Sequence, residues 1–149
     1  MSDNPIDVAR ETVECFNKDD WDRARAIHHP DCVEEEYSTG RHLEGYDAME
    51  EAGKGWKTAF PDGKGTVTGA YADGPVAVLE ITWEGTNTGP MVTPTGEEIP
   101  ATGRHGEVHA VQVFEVEDGK VKRTRSYFDL LTVLTQLGIG APSEAGVAN

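Results

Sequence analysis

The chain has 149 residues, of which 37% are hydrophobic, enough for a single core and too many for a disordered chain. Its 13 basic and 27 acidic residues give a net charge of −14, a field that repels nucleic acid and anionic membrane surfaces. No apolar run is long enough to span a bilayer, so we expect neither nucleic acid nor a membrane as a partner.

The first residues bear on the cellular location of the protein, and the acidic side chains bear on the salt concentration of its surroundings. The start, MSDNPIDVAR, lacks the basic region and apolar stretch of a secretory signal, which predicts a cytoplasmic protein. The scattered acidic residues have two interpretations, a well-solvated surface or adaptation to high salt. Cys15 and Cys32 are far apart and show no ligand spacing, which predicts two buried thiols.

Two helices are predicted at the start of the chain. Asn4 and Pro5 suit a helix start, and apolar residues recur at helical spacing as far as Phe16, which predicts a helix over 5–17. A second, short helix is predicted from Asp20, ending before Pro30.

The middle of the chain predicts one weak strand and one longer helix. Residues 32–38 (CVEEEYS) favour a strand, and residues 46–59 favour a helix that carries Trp56 on its apolar stripe and stops at Pro61. Residues 40–45 are predicted as loop.

From residue 64 onward the hydrophobic period changes from 3.6 to 2. Strands are predicted over 64–72, 75–84, 107–116 and 120–128, with Asp118-Gly119 as a two-residue hairpin turn between the last two. The rest of this half is predicted as a long connection over 85–106, a helix over 130–137 closed by Gly138, and a flexible tail over 139–149.

This order of elements indicates one α+β domain over 1–149, with its core over about 5–138. We expect an α+β barrel in which a cone-shaped, curved antiparallel or mixed sheet wraps around the N-terminal helices. The open end of such a cone is a pocket.

The Asp118-Gly119 turn also predicts which hairpin residues share a face. A type I′ turn pairs Gln112 with Arg125, and it places Phe114, Tyr127 and Asp129 on the same face. This mixture of apolar and polar groups is typical of a pocket wall. A one-residue bulge would exchange the faces.

Three stretches carry a resemblance to a known family: FPDGKGTVTGAYADGPVAVLEITWEGTNTG, PATGR and VFEVEDGKVKRTRSYFDLLTVLTQLG. In this order, and with the opening helices, they resemble the SnoaL-like polyketide cyclase (ester cyclase) family of the nuclear-transport-factor-2-like superfamily. The resemblance covers about residues 5–138. It implies the cone, a buried pocket, a small-molecule substrate or ligand and, commonly, a homodimer.

The resemblance also implies a role for Asp129. In characterised cyclases of this kind, an aspartate at the end of the last long strand is the acid/base of an intramolecular aldol closure, and Asp129 has that position. This chain differs from many relatives in having Thr124 and Arg125 instead of a histidine–tryptophan pair, and Asn87 instead of a histidine. The superfamily also contains isomerases, dehydratases, epoxide hydrolases and binding proteins, so the fold does not determine the reaction.

Asp129 therefore has two interpretations, the N-cap of the last helix and a catalytic base, which are compatible with each other. Arg125 on the same predicted face favours the ionised form of Asp129. Gln112 and Arg125 have two interpretations, donors that hold a developing enolate or a cross-strand hydrogen bond on an open face. The predicted substrate-binding residues are Tyr37, His42, Trp56, Phe114 and Tyr127. The sequence shows no metal-ligand spacing, phosphate loop or nucleophile motif, so we expect no metal and no cofactor.

The leading hypothesis is an acid/base enzyme without a cofactor, performing an aldol-type cyclisation or an isomerisation on an apolar carbonyl compound. The alternatives are a non-catalytic small-molecule-binding or dimeric accessory protein and, more weakly, an epoxide hydrolase or a dehydratase.

Overall fold

The computed structural model describes residues 4–93 and 95–139. In this part of the chain there are four α-helices: α1 (Pro5–Lys18), α2 (Trp21–Ala26), α3 (Tyr46–Ala59) and α4 (Leu130–Leu137). The strands are β1 (His28–Glu36), β2 (Arg41–Glu44), β3 (Lys64–Asp73), β4 (Val76–Thr86), β5 (Met91–Val92), β6 (Glu98–Ile99), β7 (His105–Glu117) and β8 (Lys120–Phe128). All but the first residue of the predicted tail lies outside the described residues.

Six of these strands form one curved, mixed sheet in the order β2-β1-β8-β7-β4-β3. Neighbouring strands are antiparallel except for β1 and β8, which are parallel. The short strands β5 and β6 pair with each other in a separate ribbon. The α+β class that was predicted from the order of elements is confirmed.

The helices begin and end for local reasons that the sequence contains. The Asn4 side chain accepts a hydrogen bond from the Ile6 amide at 2.9 Å, and Asp19 ends α1 in the left-handed conformation at φ 56°. Asp20 caps α2 by accepting a hydrogen bond from the Arg23 amide. Gly138 ends α4 at φ 70°, as predicted.

The main core lies between α1 and the sheet. Val8, Ala9 and Val13 on one face of α1 pack against buried residues of the strands, among them Leu79 and Phe114. Burying a valine, leucine or phenylalanine side chain stabilises the fold by roughly 1.5–3 kcal/mol. A second cluster, which contains both free cysteines in buried positions, lies between α1, α2, β1 and α3.

The start of β1 differs from the prediction, because the strand begins at His28 and includes Pro30. The β1–β8 ladder is irregular between His28 and Val33. Pro30 lies in this irregular part, where no regular ladder hydrogen bond requires its amide proton. Strand β2 falls where a loop was predicted. Its four residues pair with β1 after a turn in which Gly40 has φ 77°, a pattern too short to show a period.

The β7–β8 hairpin corrects the predicted faces. Asp118 and Gly119 have φ 53° and φ 73°, as a type I′ turn requires, and Val116 pairs with Val121. The ladder then shifts, because Lys122 is an extra residue in β8. Every β8 side chain beyond this bulge is displaced by one position, so the predicted pairing of Gln112 with Arg125 is wrong.

The long connection over 85–106 is held by one buried side chain. Asn87 donates from Nδ2 to the Ala59 carbonyl at 3.0 Å and to the Gly89 carbonyl at 2.9 Å. Its Oδ1 accepts from the backbone amide and the hydroxyl of Thr102, both at 2.9 Å. These four bonds join the two ends of the connection to the end of α3.

None of the helices in the described part of the chain is both long enough and apolar enough to cross a membrane.

Candidate active site

A cavity of about 240 Å³ lies between the concave face of the sheet and the helices. Its walls are largely aromatic and include Phe16, Trp21, Trp56, Trp83, Phe114 and Phe128. Several of these rings contact one another, with ring centroids 5.1 Å apart for Phe16 and Trp83 and 5.9 Å apart for Trp56 and Phe128. The cavity therefore has the apolar wall of a small-molecule site, and its volume is somewhat below the usual range.

Five polar residues of the cavity wall come from three neighbouring strands. In the sheet, Glu34 of β1 lies opposite Thr124 of β8, and Glu36 lies opposite Ser126. Ser126 lies in turn opposite Gln112 of β7, with the Gln112 Nε2 atom 3.5 Å from the Ser126 hydroxyl. All five residues line the cavity. Since neighbouring strands are about 4.8 Å apart, these groups form a compact polar strip.

Glu36 is held from three sides. Its Oε2 accepts a hydrogen bond from the Trp56 indole at 3.2 Å, and its Oε1 accepts one from the Thr39 hydroxyl. The Arg41 guanidinium lies 3.7 Å from Oε1. Both carboxyl oxygens of Glu36 therefore have a donor, and one of the neighbouring groups is charged.

Glu34 has a different environment, since no side chain or amide of the described residues donates a hydrogen bond to its carboxyl group. Burial raises the pKa of Glu34 to about 8, with a smaller contribution from the negative charge of Glu36. Arg41 acts in the opposite direction and does not offset these two effects. A carboxyl group with a pKa near neutrality can both donate and accept a proton under ordinary conditions.

The surroundings of Thr124 and of a sixth polar residue, His28, also bear on the chemistry of the site. The Thr124 hydroxyl is buried and has no hydrogen-bond partner within residues 4–93 and 95–139. His28 is also buried, and its Nδ1 donates to the Ala24 carbonyl at 2.6 Å. Burial lowers the pKa of His28, so the cavity contains a neutral imidazole.

Three of the residues predicted from the sequence lie in the cavity wall: Gln112, Trp56 and Phe114. The other five do not line it. Arg125 lies on the opposite face of the sheet, opposite Val113, where its guanidinium pairs with Glu115. The bulge at Lys122 is the reason, since it turns Arg125 and Tyr127 outward and Thr124 and Ser126 inward.

Asp129 lies at a shallow depression of the outer face, together with Tyr127 and His109. Its carboxylate caps α4, accepting hydrogen bonds from the Thr132 amide at 3.0 Å and the Thr132 hydroxyl at 2.6 Å. The Thr132 hydroxyl and then its amide hold the pKa of Asp129 below its usual range. The structure thus gives Asp129 the surroundings of a helix cap and separates it from Gln112.

Tyr37 and His42, which were predicted near the pocket, are exposed residues. The Tyr37 ring lies 5.1 Å from the Tyr127 ring, centroid to centroid. His42 contacts Glu35 through Nδ1 and Glu44 through Nε2, and the hydrogen bonds to these two carboxylates raise its pKa.

Glu34 and Glu36 were missed as site residues, although the sequence contained a signal for them. Glu34 and Glu36 lie two and four residues after Cys32, which was predicted to be buried. In a strand, side chains at every second position share a face. The run of three glutamates in CVEEEYS obscured this alternation. In the structure Cys32 is fully buried and Glu34 and Glu36 line the cavity beyond it.

Within the described residues, no group of three or more histidine, cysteine, aspartate or glutamate side chains is placed to hold a metal ion.

Residues 6–137 match the family model of the SnoaL-like polyketide cyclases. No match was found among curated protein sequences. Of the solved structures, TsrD from Streptomyces laurentii is similar with 26% identity and a TM-score of 0.75, over 89% of this chain and 92% of TsrD.

Two further structures share the fold at lower identity. A protein from Jannaschia sp. CCS1, assigned as a SnoaL-like polyketide cyclase, has 20% identity and a TM-score of 0.80 over 91% of this chain and 92% of its own. IdmH from Streptomyces antibioticus, assigned as a polyketide cyclase, has 24% identity and a TM-score of 0.76 over 91% of this chain and 99% of IdmH.

Proposed function

Because the chain belongs to the SnoaL-like polyketide cyclase family, we propose that its cavity is the active site of a small-molecule acid/base enzyme. The observation that carries this proposal is Glu34, a carboxyl group in an aromatic cavity that receives no hydrogen bond from the described residues and whose pKa burial raises to about 8. A proton-transfer group is most effective when its pKa lies near the working pH.

The proposed substrate is an apolar carbonyl compound. The carboxylate form of Glu34 removes a proton from the carbon next to the carbonyl, and the electron pair of that C–H bond forms the enolate. In an aldol-type cyclisation, the enolate carbon attacks a second carbonyl of the same molecule, and Glu34 returns the proton to the new alkoxide. In an isomerisation, Glu34 returns the proton to a different carbon.

The neighbouring polar groups are suited to the developing negative charge. Ser126 and Gln112, which can donate hydrogen bonds, line the same strip of the cavity as Glu34. Donors fixed around a site of developing charge lower the barrier more than donors that must reorient. In this proposal the catalytic base is Glu34, and Asp129 is the cap of α4.

Exchange of carbonyl α-protons for deuterium tests the proposal without knowledge of the natural substrate. A panel of aromatic and cyclic ketones is incubated in D₂O with the protein, and the loss of the α-proton signal is followed by NMR. The wild-type protein should accelerate exchange of at least one ketone by about 10²-fold or more over buffer. Glu34→Gln should abolish the acceleration, whereas Asp129→Asn should retain it.

Two results would count against the proposal. Exchange that survives Glu34→Gln but is lost in Asp129→Asn would return the catalytic role to Asp129. Binding of ketones without exchange would favour the alternative, a non-catalytic small-molecule-binding protein.

A further inference from the structure

The cavity has an excess of negative charge in its wall. Four of the described lining residues are glutamates, at positions 34, 36, 84 and 107, and the only lysine or arginine among them is Lys64. Arg41 lies 3.7 Å from Glu36, and Glu34 is largely protonated at neutral pH. Glu84 and Glu107 then remain against the single charge of Lys64. A ligand that brought a further negative charge would therefore be repelled.

The aromatic wall adds to this preference. Trp21, Trp56 and Trp83 all line the cavity, and indole is the aromatic ring with the strongest attraction for cations. The Trp56 ring lies next to Glu36, to which its indole nitrogen donates. A cation in this space would contact both ring faces and carboxylates.

Two polar groups of the cavity are left without partners in the described chain. Glu34 accepts no hydrogen bond from it, and the Thr124 hydroxyl, in a residue that is only 3% exposed, has no partner either. The two residues are opposite each other in the β1–β8 ladder. Of the two, Glu34 is the group that a ligand in the cavity would reach, because the Thr124 hydroxyl oxygen is itself buried.

We propose that the cavity binds ligands that carry an ammonium group, which pairs with the Glu34 carboxylate, on an apolar body that lies among the indole rings. The N–H protons of the ammonium group are donated to the Glu34 carboxylate. This proposal rests on the proposed function only in taking the same cavity as the binding site. An ammonium ion paired with Glu34 occupies the proposed base, so a ligand of this class competes with a ketone for the site.

A matched pair of probes separates charge from shape. The 2-phenylethylammonium ion and 2-phenylethanol have nearly the same size and apolar body, and they differ in the charged nitrogen. Binding of each is measured by isothermal titration calorimetry at about 0.15 M salt, where long-range attraction by the net charge of the protein is screened. The ammonium ion should bind roughly tenfold more tightly than the alcohol.

The ionisation of Glu34 provides a second readout. At neutral pH most Glu34 side chains are protonated, so an ammonium ion must displace the proton to form the ion pair. Binding should therefore release up to one proton per ligand near neutral pH, seen as a dependence of the heat on the buffer. The affinity for the ammonium ion should rise between about pH 6 and about pH 8.5, whereas that for the alcohol should stay constant.

The variants Glu34→Gln and Glu35→Gln form a matched control. They have the same net charge and alter adjacent residues, but Glu35 lies on the opposite face of the sheet, opposite Arg125, and contacts His42. Glu34→Gln should remove the preference for the ammonium ion and the proton release, and Glu35→Gln should retain both. Unfolding curves establish that both variants are folded.

The proposal is overturned if the two probes bind equally, if neither binds to the folded protein, or if both variants lose the preference alike. It is independent of the exchange assay, which uses uncharged ketones. Ammonium binding without exchange would refute the enzyme proposal alone, and exchange without an ammonium preference would refute the ligand class alone.

Discussion

Glu34 and Glu36 lie two residues apart on β1 and face the same cavity, but they have opposite surroundings. Glu36 accepts hydrogen bonds from Thr39 and Trp56 and lies next to Arg41. Glu34 receives no hydrogen bond from the described residues, and burial raises its pKa to about 8. A donor-rich carboxylate beside a proton-exchanging carboxyl group is the arrangement on which the proposed chemistry depends.

The first prediction concerns the pH dependence of stability. Because the pKa of Glu34 is raised in the folded protein, its contribution favours folding below the ordinary value of 4.5 and is lost as the pH rises towards 8. At 1.36 kcal/mol per unit, this loss has an upper limit of about 5 kcal/mol. Glu34→Gln should therefore gain stability over the wild type as the pH rises, measured by urea unfolding at a series of pH values.

The matched control for this experiment is Glu35→Gln, which should leave the pH dependence of the wild type in place. If the difference in stability between Glu34→Gln and the wild type is the same at every pH, Glu34 titrates in the same way in the folded and unfolded chains and the prediction is wrong.

Thr124 provides a test of the buried hydroxyl that has no hydrogen-bond partner among the described residues. Thr124→Val keeps the shape of the side chain and removes the buried polar group, so it should raise the free energy of unfolding by about 1 kcal/mol. Thr124→Ser keeps a hydroxyl and serves as the control. A loss of stability in Thr124→Val would show that the hydroxyl has a partner, such as a bound water.

Asn87 should be a structural residue. Its side chain makes four hydrogen bonds and is fully buried, so Asn87→Ala leaves several buried backbone groups unpaired. We expect a loss of about 3 kcal/mol in the free energy of unfolding. The exposed neighbour Thr88 supplies the control Thr88→Ala, which should change stability little; equal effects of the two substitutions would refute the anchoring role.

The cap at Asp129 is tested by two substitutions. Asp129→Ala removes the acceptor for both Thr132 groups and should lower the melting temperature by about 3 °C, whereas Asp129→Asn keeps an acceptor and should lower it less. Circular dichroism melting measures both variants. Equal losses for alanine and asparagine would mean that the side-chain oxygen does not cap α4.

The fold could be predicted largely from the sequence because its local signals agree with one another. The caps of α1 and α4, the stripe of α3 and the Asp118-Gly119 turn each specify their element, and the structure has them at those places. The four-residue strand β2 could not be found in this way, because its pairing with β1 depends on contacts that no local pattern shows.

The site was predictable only in part because one residue in β8 decides the faces of the strand. Lys122 looks like an ordinary strand residue in the sequence, but it forms a bulge. Because of the bulge, Ser126 lies opposite Gln112 instead of Arg125. The alternation in CVEEEYS was sufficient to place Glu34 and Glu36 on the face of Cys32. The raised pKa of Glu34 was not predictable, since it depends on burial by residues from distant parts of the chain.

The central claim is that Glu34 titrates near neutral pH inside the cavity, and a carbon-13 NMR titration of the glutamate side-chain carboxyl groups tests it most directly. Comparison with Glu34→Gln assigns the resonance, and Glu36→Gln, which removes the neighbouring negative charge, should lower the pKa of Glu34. The account predicts a pKa of about 8 for Glu34 in the wild-type protein. A pKa near the ordinary value of 4.5 would contradict it.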